Sequence, residues 1–353
     1  MLEDSVTFVT NVLGLMLTYK PPIIVQEHEL SNIVDKIHEI ISEDDAKDNE
    51  YFVNLTCGTK LMFLATFQEF SKCKAEIFYH GIATAQFDRI FSRSGREPTP
   101  LVINETLSLP EFFTAFGMQM KYSSPKFSQE LAKSMFDLFW EFENEIVALR
   151  NLRNFSYVRN KLGKKKSVNL CTALEKYNSI TKNTNINNSS TIIELLKKLK
   201  FSSEILIRDE VDFITGGWLE EYIYFGFQNL PGSIQCKSAL SAKIERSSNE
   251  PNRIENEFDV LLLEGTKLYV IECKSTLDSS LLIETLYKQS ALQKEFGLRV
   301  SSVLVTMSKK DSIKSWEKQQ ERASYMGITI IDGTKLQDLK PHDFYTAITG
   351  KPI

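Results

Sequence analysis

The chain has 353 residues, 42% hydrophobic and 25% charged, with a net charge of −4. This describes an ordinary globular polypeptide with room for two or three domains, and the negative total excludes an indiscriminate coat for nucleic acid. Five scattered cysteines with no Cys-x2-Cys pair exclude a convincing zinc site and fit reduced, mostly buried thiols, while only four histidines argue against imidazole-based metal or base chemistry.

In chain order, residues 1–108 alternate between strand and helix: strand Pro22–Gln26, helix Leu30–Ile41, strand Tyr51–Thr56, helix Leu61–Phe70, strand Ala75–Tyr79. Such alternation predicts an α/β parallel sheet. The turn Cys57-Gly58-Thr59-Lys60 joins a strand directly to a helix. Free backbone N–H groups at that junction form an anion site, to which Thr59 adds a hydroxyl and Lys60 a charge. It is not a Walker A loop, because the Gly-x4-Gly-Lys spacing is missing.

Residues 109–200 are dominated by helical patterns, Leu109–Phe116 and Ser128–Leu149 among them. A basic run follows, Arg153, Arg159, Lys161, Lys164, Lys165 and Lys166, with Phe155 and Tyr157 interleaved. It reads either as a grip for phosphates or as a solvated helix end. The polar stretch Asn178–Ser190 reads as a linker, and Thr191–Leu199 as a helix leading into a third region, residues 201–353.

In that region Thr215-Gly216-Gly217-Trp218-Leu219-Glu220-Glu221 opens a helix, where an acid in the first turn either complements the dipole or points at a site. Two β-prone runs, Glu257–Leu263 and Lys267–Cys273, then flank Glu264-Gly265-Thr266. A two-residue turn at Gly265-Thr266 places Asp259 opposite Glu272, with Cβ atoms about 5 Å apart. Two facing carboxylates repel, and Leu261, Leu263 and Val270 on the same faces suggest burial, so the pair gains only if something positive lies between. Mg²⁺ or Mn²⁺ is the natural candidate. Lys274 emerges on the face of Glu272, where its ammonium can hold a water or neutralise a phosphate. A helix runs from Thr285 to Leu298, and Met326–Thr334 closes the chain's chemistry-bearing part as a buried strand and turn.

Three segments together carry a family resemblance: Gly216-Gly217-Trp218-Leu219-Glu220, Asn256-Glu257-Phe258-Asp259-Val260 and Val270-Ile271-Glu272-Cys273-Lys274-Ser275. They resemble the PD-(D/E)XK nuclease domain of CRISPR ancillary nucleases, in which an N-terminal CARF sensor (a CRISPR-associated Rossmann fold) is fused to the nuclease. Asn54-Leu55-Thr56-Cys57-Gly58-Thr59-Lys60-Leu61-Met62 is similar to the sensor motif Asn-x-Thr-Gly-Gly-Thr-Lys-x-Met, with Cys57 in place of the first glycine. The resemblance implies a CARF/Rossmann-like parallel sheet over residues 1–108, a helical middle segment over 109–200 and a restriction-endonuclease-like α/β domain over 201–353. It implies catalysis by Glu220, Asp259, Glu272 and Lys274, with the three carboxylates on Mg²⁺ or Mn²⁺. Lys288 or Gln289 would support a substrate phosphate, the glutamine one position out of the usual register. Asn54, Thr56, Gly58, Thr59, Lys60 and Met62 would cradle a cyclic oligoadenylate, most simply cyclic tetra-adenylate, at the two-fold axis of a homodimer. The substrate would be single-stranded RNA, single-stranded DNA or supercoiled DNA. Ser5–Tyr19 resembles the part of a CARF domain that follows its opening strand, loop, helix and strand, so that opening unit is expected to be missing. The alternatives are an unregulated restriction or repair endonuclease and a non-catalytic sensor that binds DNA. No apolar run is long enough for a membrane span, and Glu3 and Asp4 argue against a signal peptide, so a cytoplasmic protein without membrane contact is expected.

Overall fold

The computed structural model describes residues 23–43, 49–56, 58–80, 86–92, 101–102, 107–116, 118–181, 189–232, 234, 236–246, 255–296, 300–340 and 343–352. The chain divides into two units, residues 1–118 with 264–267, and residues 119–263 with 268–353.

The first unit holds α1 (Leu30–Glu43), β1 (Tyr51–Asn54), α2 (Lys60–Phe70), β2 (Ala75–His80), β3 (Gln86–Ser92), β4 (Leu101–Val102) and α3 (Leu109–Ala115). Its sheet has the order β1-β2-β3-β4. β1 and β2 are parallel, with Val53 beside Ile77, because α2 carries the chain back across the sheet between them. Ile33, Ile37, Leu55, Ala65, Phe70, Ala75 and Ile77 form the core of this layer. The expected parallel sheet is thus a parallel pair, extended by two antiparallel strands that the sequence pattern did not show. A register shift opposite Ile77 and Phe78 breaks the alternation of β3, which removes the period-two signal. The strand expected over Pro22–Gln26 is not formed over its described part: residues 23–26 are irregular and Ile24 is 89% exposed, a β-prone sequence that pairs with no strand among the described residues. Ser5–Tyr19 and Cys57 lie outside the described residues.

The second unit takes up β5 (Met118–Ser123), α4 (Gln129–Phe139), α5 (Glu143–Asn154), α6 (Ser156–Lys165), β6 (Ser167–Asn169), α7 (Leu170–Thr181), α8 (Ser189–Lys198), β7 (Ile205–Ile207), α9 (Arg208–Asp212) and α10 (Trp218–Gln228). It continues with β8 (Cys236–Arg246), β9 (Glu255–Glu264), β10 (Lys267–Lys274), α11 (Ser279–Phe296), β11 (Val300–Thr306), α12 (Trp316–Tyr325), β12 (Ile328–Ile331), α13 (Gly333–Asp338) and α14 (Asp343–Thr349). Six strands form one sheet in the order β12-β11-β10-β9-β8-β5, and β10, β11 and β12 run parallel. Both faces of the central strands are covered, which is why β10 reads as a near-continuous apolar run. On one face Val260, Leu262, Ile271 and Cys273 join Met135, Phe136, Phe139, Trp218 and Tyr222, and the Phe136 and Tyr222 rings stack at 4.5 Å. On the other, Leu282, Leu286, Leu304, Trp316, Ile328 and Ile330 form a separate cluster.

The helical segment after residue 118 shares the first of these cores. The single helical pattern expected over Ser128–Leu149 is two helices, α4 and α5, separated at Trp140–Phe142. Phe142 leaves helical geometry (φ −118°, ψ 24°) and buries its ring, so tertiary packing overrides a locally helical sequence. The expected linker Asn178–Ser190 is helical at both ends, in α7 and α8, and residues 182–188 lie outside the described residues. The cysteines are less buried than expected: Cys273 is buried, Cys73 and Cys236 are half-buried and Cys171 is exposed. Among the described residues no helix is long and apolar enough to cross a membrane.

Candidate active site

β9 and β10 are joined by the two-residue turn Gly265-Thr266, and Gly265 takes φ 58°, a left-handed conformation open to glycine without steric cost. The hairpin brings three charged side chains together. Asp259 Oδ2 accepts the Cys273 N–H at 2.7 Å and the Lys274 ammonium at 3.3 Å. Lys274 Nζ also lies 2.7 Å from Glu272 Oε1 and donates to the Cys273 carbonyl at 3.2 Å. Glu272 is 5% exposed. Lys288, on α11, places Nζ 3.6 Å from Glu272 Oε1. Gln289 is not part of this group: it is buried and donates to the Val303 carbonyl at 3.1 Å.

α10 supplies the remaining carboxylate. It is entered through a widened helical turn, Phe213–Gly217, in which Thr215 Oγ1 donates to the Val211 carbonyl at 2.7 Å. A Cβ on Gly217 would stand 3.3 Å from the Asp212 carbonyl, so this turn closes tightly on α9. Ser275 Oγ, just past Lys274, donates to the Thr215 carbonyl at 3.4 Å and ties the end of β10 to the start of α10. The two adjacent acids then diverge. Glu221 accepts the backbone N–H groups of Lys126 (2.9 Å) and Phe127 (3.3 Å), a structural role. Glu220 is instead the acid that interacts electrostatically with Asp259, Glu272 and Glu257.

The electrostatics follow from this crowding. Burial, then the charge on Asp259, pushes the Glu220 carboxyl up to about 8. Burial, then Glu272, pushes Asp259 up to about 6. Burial opposes the charge on Lys274, but Asp259 and Glu272 outweigh it and drive the ammonium pKa upward. Lys274 therefore remains a cation at neutral pH and holds or polarises a group rather than removing a proton from it. Among the described residues no three Asp, Glu, His or Cys side chains converge closely enough to enclose an ion by themselves. The donor set is still all oxygen, and burial together with the neighbouring carboxylates disfavours the charged forms of Glu220 and Asp259, a cost that a dication would offset, so the residues fit a hard divalent ion completed by water and substrate oxygens.

A cavity of about 350 Å³ opens beside Glu220, walled by Glu257, Lys126, Arg153, Asp209 and Asp212 among others. Arg150, one turn before Arg153 on α5, bonds to the Thr276 carbonyl at 3.1 Å and to its hydroxyl, two residues beyond Lys274. Neither Arg150 nor Ser275 stands out in the sequence, since each acts through a partner distant along the chain.

In the first unit the Asn54–Met62 segment forms a compact strand-to-helix junction. Asn54 Oδ1 accepts both the backbone N–H and the hydroxyl of Thr56, whose Oγ1 in turn accepts the His80 N–H at 2.9 Å. Thr59 caps α2, its hydroxyl accepting the Met62 N–H at 3.3 Å. Gly58 takes φ 107°, and a Cβ there would press on Met62 at 3.3 Å. Lys60 is exposed and has no ion-pair partner among the described residues. The described part of the junction is a strand-to-helix turn in which the Thr59 hydroxyl is engaged in the helix cap.

The second unit, a mixed sheet with buried carboxylates and a lysine at the end of a β-hairpin, is of the endonuclease class: residues 207–345 match the family model of the Card1-like endonuclease domain. Residues 7–112 match the model of the Card1 CARF domain. The two models together cover more than half of the chain, which carries a Card1-type CARF domain and a Card1-like endonuclease domain in one polypeptide. Among solved structures it is similar to protein VC1899 from Vibrio cholerae, at 21% identity and a TM-score of 0.73, over 97% of this chain and 88% of that one. It is also similar to Can2 from Sulfobacillus thermosulfidooxidans, solved with cyclic tetra-adenylate, at 17% identity and a TM-score of 0.67, over 99% of this chain and 87% of that one. No curated protein matches the chain.

Proposed function

We propose that this chain is a divalent-metal-dependent nuclease of the PD-(D/E)XK type, cutting single-stranded RNA, single-stranded DNA or one strand of supercoiled DNA, and switched on by a cyclic oligoadenylate. The observation that carries the catalytic half is the convergence of Asp259 and Glu272 on Lys274, with Glu220 electrostatically coupled to the pair. Asp259, Glu272 and Glu220 would hold Mg²⁺ or Mn²⁺. Such an ion, when bound, polarises a phosphoryl oxygen and lowers the pKa of a bound water. The Cys273 N–H and Lys274 fix the Asp259 carboxylate, and the ammonium of Lys274 supplies positive charge where a phosphate would gain negative charge. Lys288 is close enough to Glu272 to reach the same phosphate, whereas Gln289 acts through the packing of α11 on β11.

The sensor half rests on the CARF match and on the junction geometry of Asn54, Thr56, Gly58, Thr59, Lys60 and Met62. A relative of the same fold was solved with cyclic tetra-adenylate, which makes this the activator to try first. Phe52 (71% exposed) and Leu64 (58% exposed) flank that junction and would be covered by a second copy across a two-fold axis. The site assignment is tested with Glu272→Gln and Lys274→Ala. Each is expected to lower cleavage in Mn²⁺ by about a hundredfold or more while leaving calorimetric binding of cyclic tetra-adenylate unchanged. Cleavage near the parent rate by both variants would remove the assignment.

A further inference from the structure

The basic run in the helical segment is left unused by the active-site geometry. Residues 150–182 hold nine Lys or Arg and a single acid, Glu175, in a chain whose net charge is −4. Several cations elsewhere in this unit are paired locally, Lys126 with Asp209, Arg153 and Arg208 with Asp212, and Lys198 with Glu141 and Glu194, while Lys310, Lys314 and Lys318 are exposed without an ion pair among the described residues. Across α6, β6 and α7, Arg159, Lys166 and Lys176 are exposed and Lys161 half-buried, and none of the four faces a carboxylate among the described residues. Lys161 and Lys176 lie instead against the Tyr157 ring, at 5.6 and 4.1 Å from its centre. Lys161 of α6 and Lys176 of α7 meet at the Tyr157 ring, while Arg159, two residues from Lys161, lies on another side of α6, so the positive charge is spread around this segment.

This segment follows the cavity wall directly along the chain. Arg153, at the end of α5, walls the cavity beside Glu220, and α6 begins three residues later. One turn earlier Arg150 is fastened to Thr276, just past Lys274. We propose that Arg159, Lys161, Lys166 and Lys176 form the track that grips the sugar-phosphate backbone of the nucleic-acid substrate and leads it past Arg153 to the carboxylates; this rests on the nuclease reading above. The grip is to phosphate and not to bases. Lys161 and Lys176 lie over the Tyr157 ring and Phe155 packs edge-on with Tyr177, so both rings are engaged within the unit. Binding along the track is therefore insensitive to sequence and strongly dependent on salt.

The test uses the full chain carrying Glu272→Gln, so that no probe is consumed, with and without Arg159→Gln, Lys161→Gln and Lys176→Gln together. Fluorescence anisotropy reads the affinity for labelled single-stranded RNA, single-stranded DNA and a duplex across a salt series. For the single strand bound best, the triple variant is expected to bind at least about tenfold more weakly, with a log–log salt slope shallower by about 2, roughly 0.7 for each lost phosphate contact. A control removes equal charge from another exposed face of the same unit, Lys310→Gln, Lys314→Gln and Lys318→Gln, and is expected to bind as the parent does. Unchanged affinity and slope in the triple variant, equal loss in the control, or no binding of any probe by the parent would each overturn the proposal. Failure of the wild-type chain to cleave would count against the nuclease reading and not against the track, because this readout needs no turnover.

Discussion

At the scale of single residues, adjacent acids on α10 do different work. Glu221 holds two backbone N–H groups of the segment before α4, so Glu221→Gln, which turns a donor toward at least one of them, is expected to lower stability by about 1–3 kcal/mol in urea denaturation. Glu220→Gln is expected to act the other way. Its carboxyl is ordinarily at 4.5 and is raised to about 8 in the folded chain, so the unfolded state releases this proton first as pH rises. Stability should therefore decline between about pH 4.5 and 8 in the metal-free protein, and Glu220→Gln should remove part of that decline. Thermal melts in chelator at pH 5 and pH 8 check this. The variant should gain over wild type at pH 8 and not at pH 5, and an equal difference at both values would contradict the assignment. In the sequence only the resemblance picks out Glu220 from its neighbour; in the structure the position of Lys126 and Phe127, almost a hundred residues earlier, gives Glu221 its separate role.

At the scale of elements, legibility tracked how local the determining contacts are. The β9–β10 turn, α2, β12 and the entry to α10 are all written in neighbouring residues and were readable, whereas Thr59, expected as a ligand hydroxyl, is the cap of α2. The break between α4 and α5, the edge strand β5 and the ribbon of β3 and β4 depend on partners far along the chain, and the pattern did not show them. α13 illustrates such a distant constraint. A Cβ on Gly333 would stand 2.0 Å from the Met307 carbonyl oxygen and 2.9 Å from the Trp140 ring, so β11, β12 and the helical segment close on one another at a point with no room for a methyl group. Gly333→Ala is expected to cost at least about 1–3 kcal/mol, read as a lowered urea midpoint with the slope unchanged. Ser108→Ala is the milder counterpart in the first unit. It removes the hydroxyl half of the capping box with Glu111 at the start of α3, at a cost of about 1 kcal/mol.

At the scale of the whole molecule, the candidate catalytic group was legible because a hairpin confines Asp259, Glu272 and Lys274 within sixteen residues of sequence, and the candidate sensor junction because it is one strand-to-helix turn. What the letters did not convey was the supporting frame: Ser275 on Thr215 and Arg150 on Thr276. A CARF domain and an endonuclease domain in one chain give the account its central claim, that occupancy of the first controls cleavage by the second. The direct measurement is cleavage of single-stranded RNA, single-stranded DNA and supercoiled plasmid by the full chain, in Mn²⁺, in Mg²⁺ and in chelator, each with and without cyclic tetra-adenylate. The account predicts cleavage of at least one substrate that requires both a divalent ion and the cyclic nucleotide and is lost in Glu272→Gln. Equal cleavage with and without the nucleotide, or cleavage that persists in chelator, would contradict it.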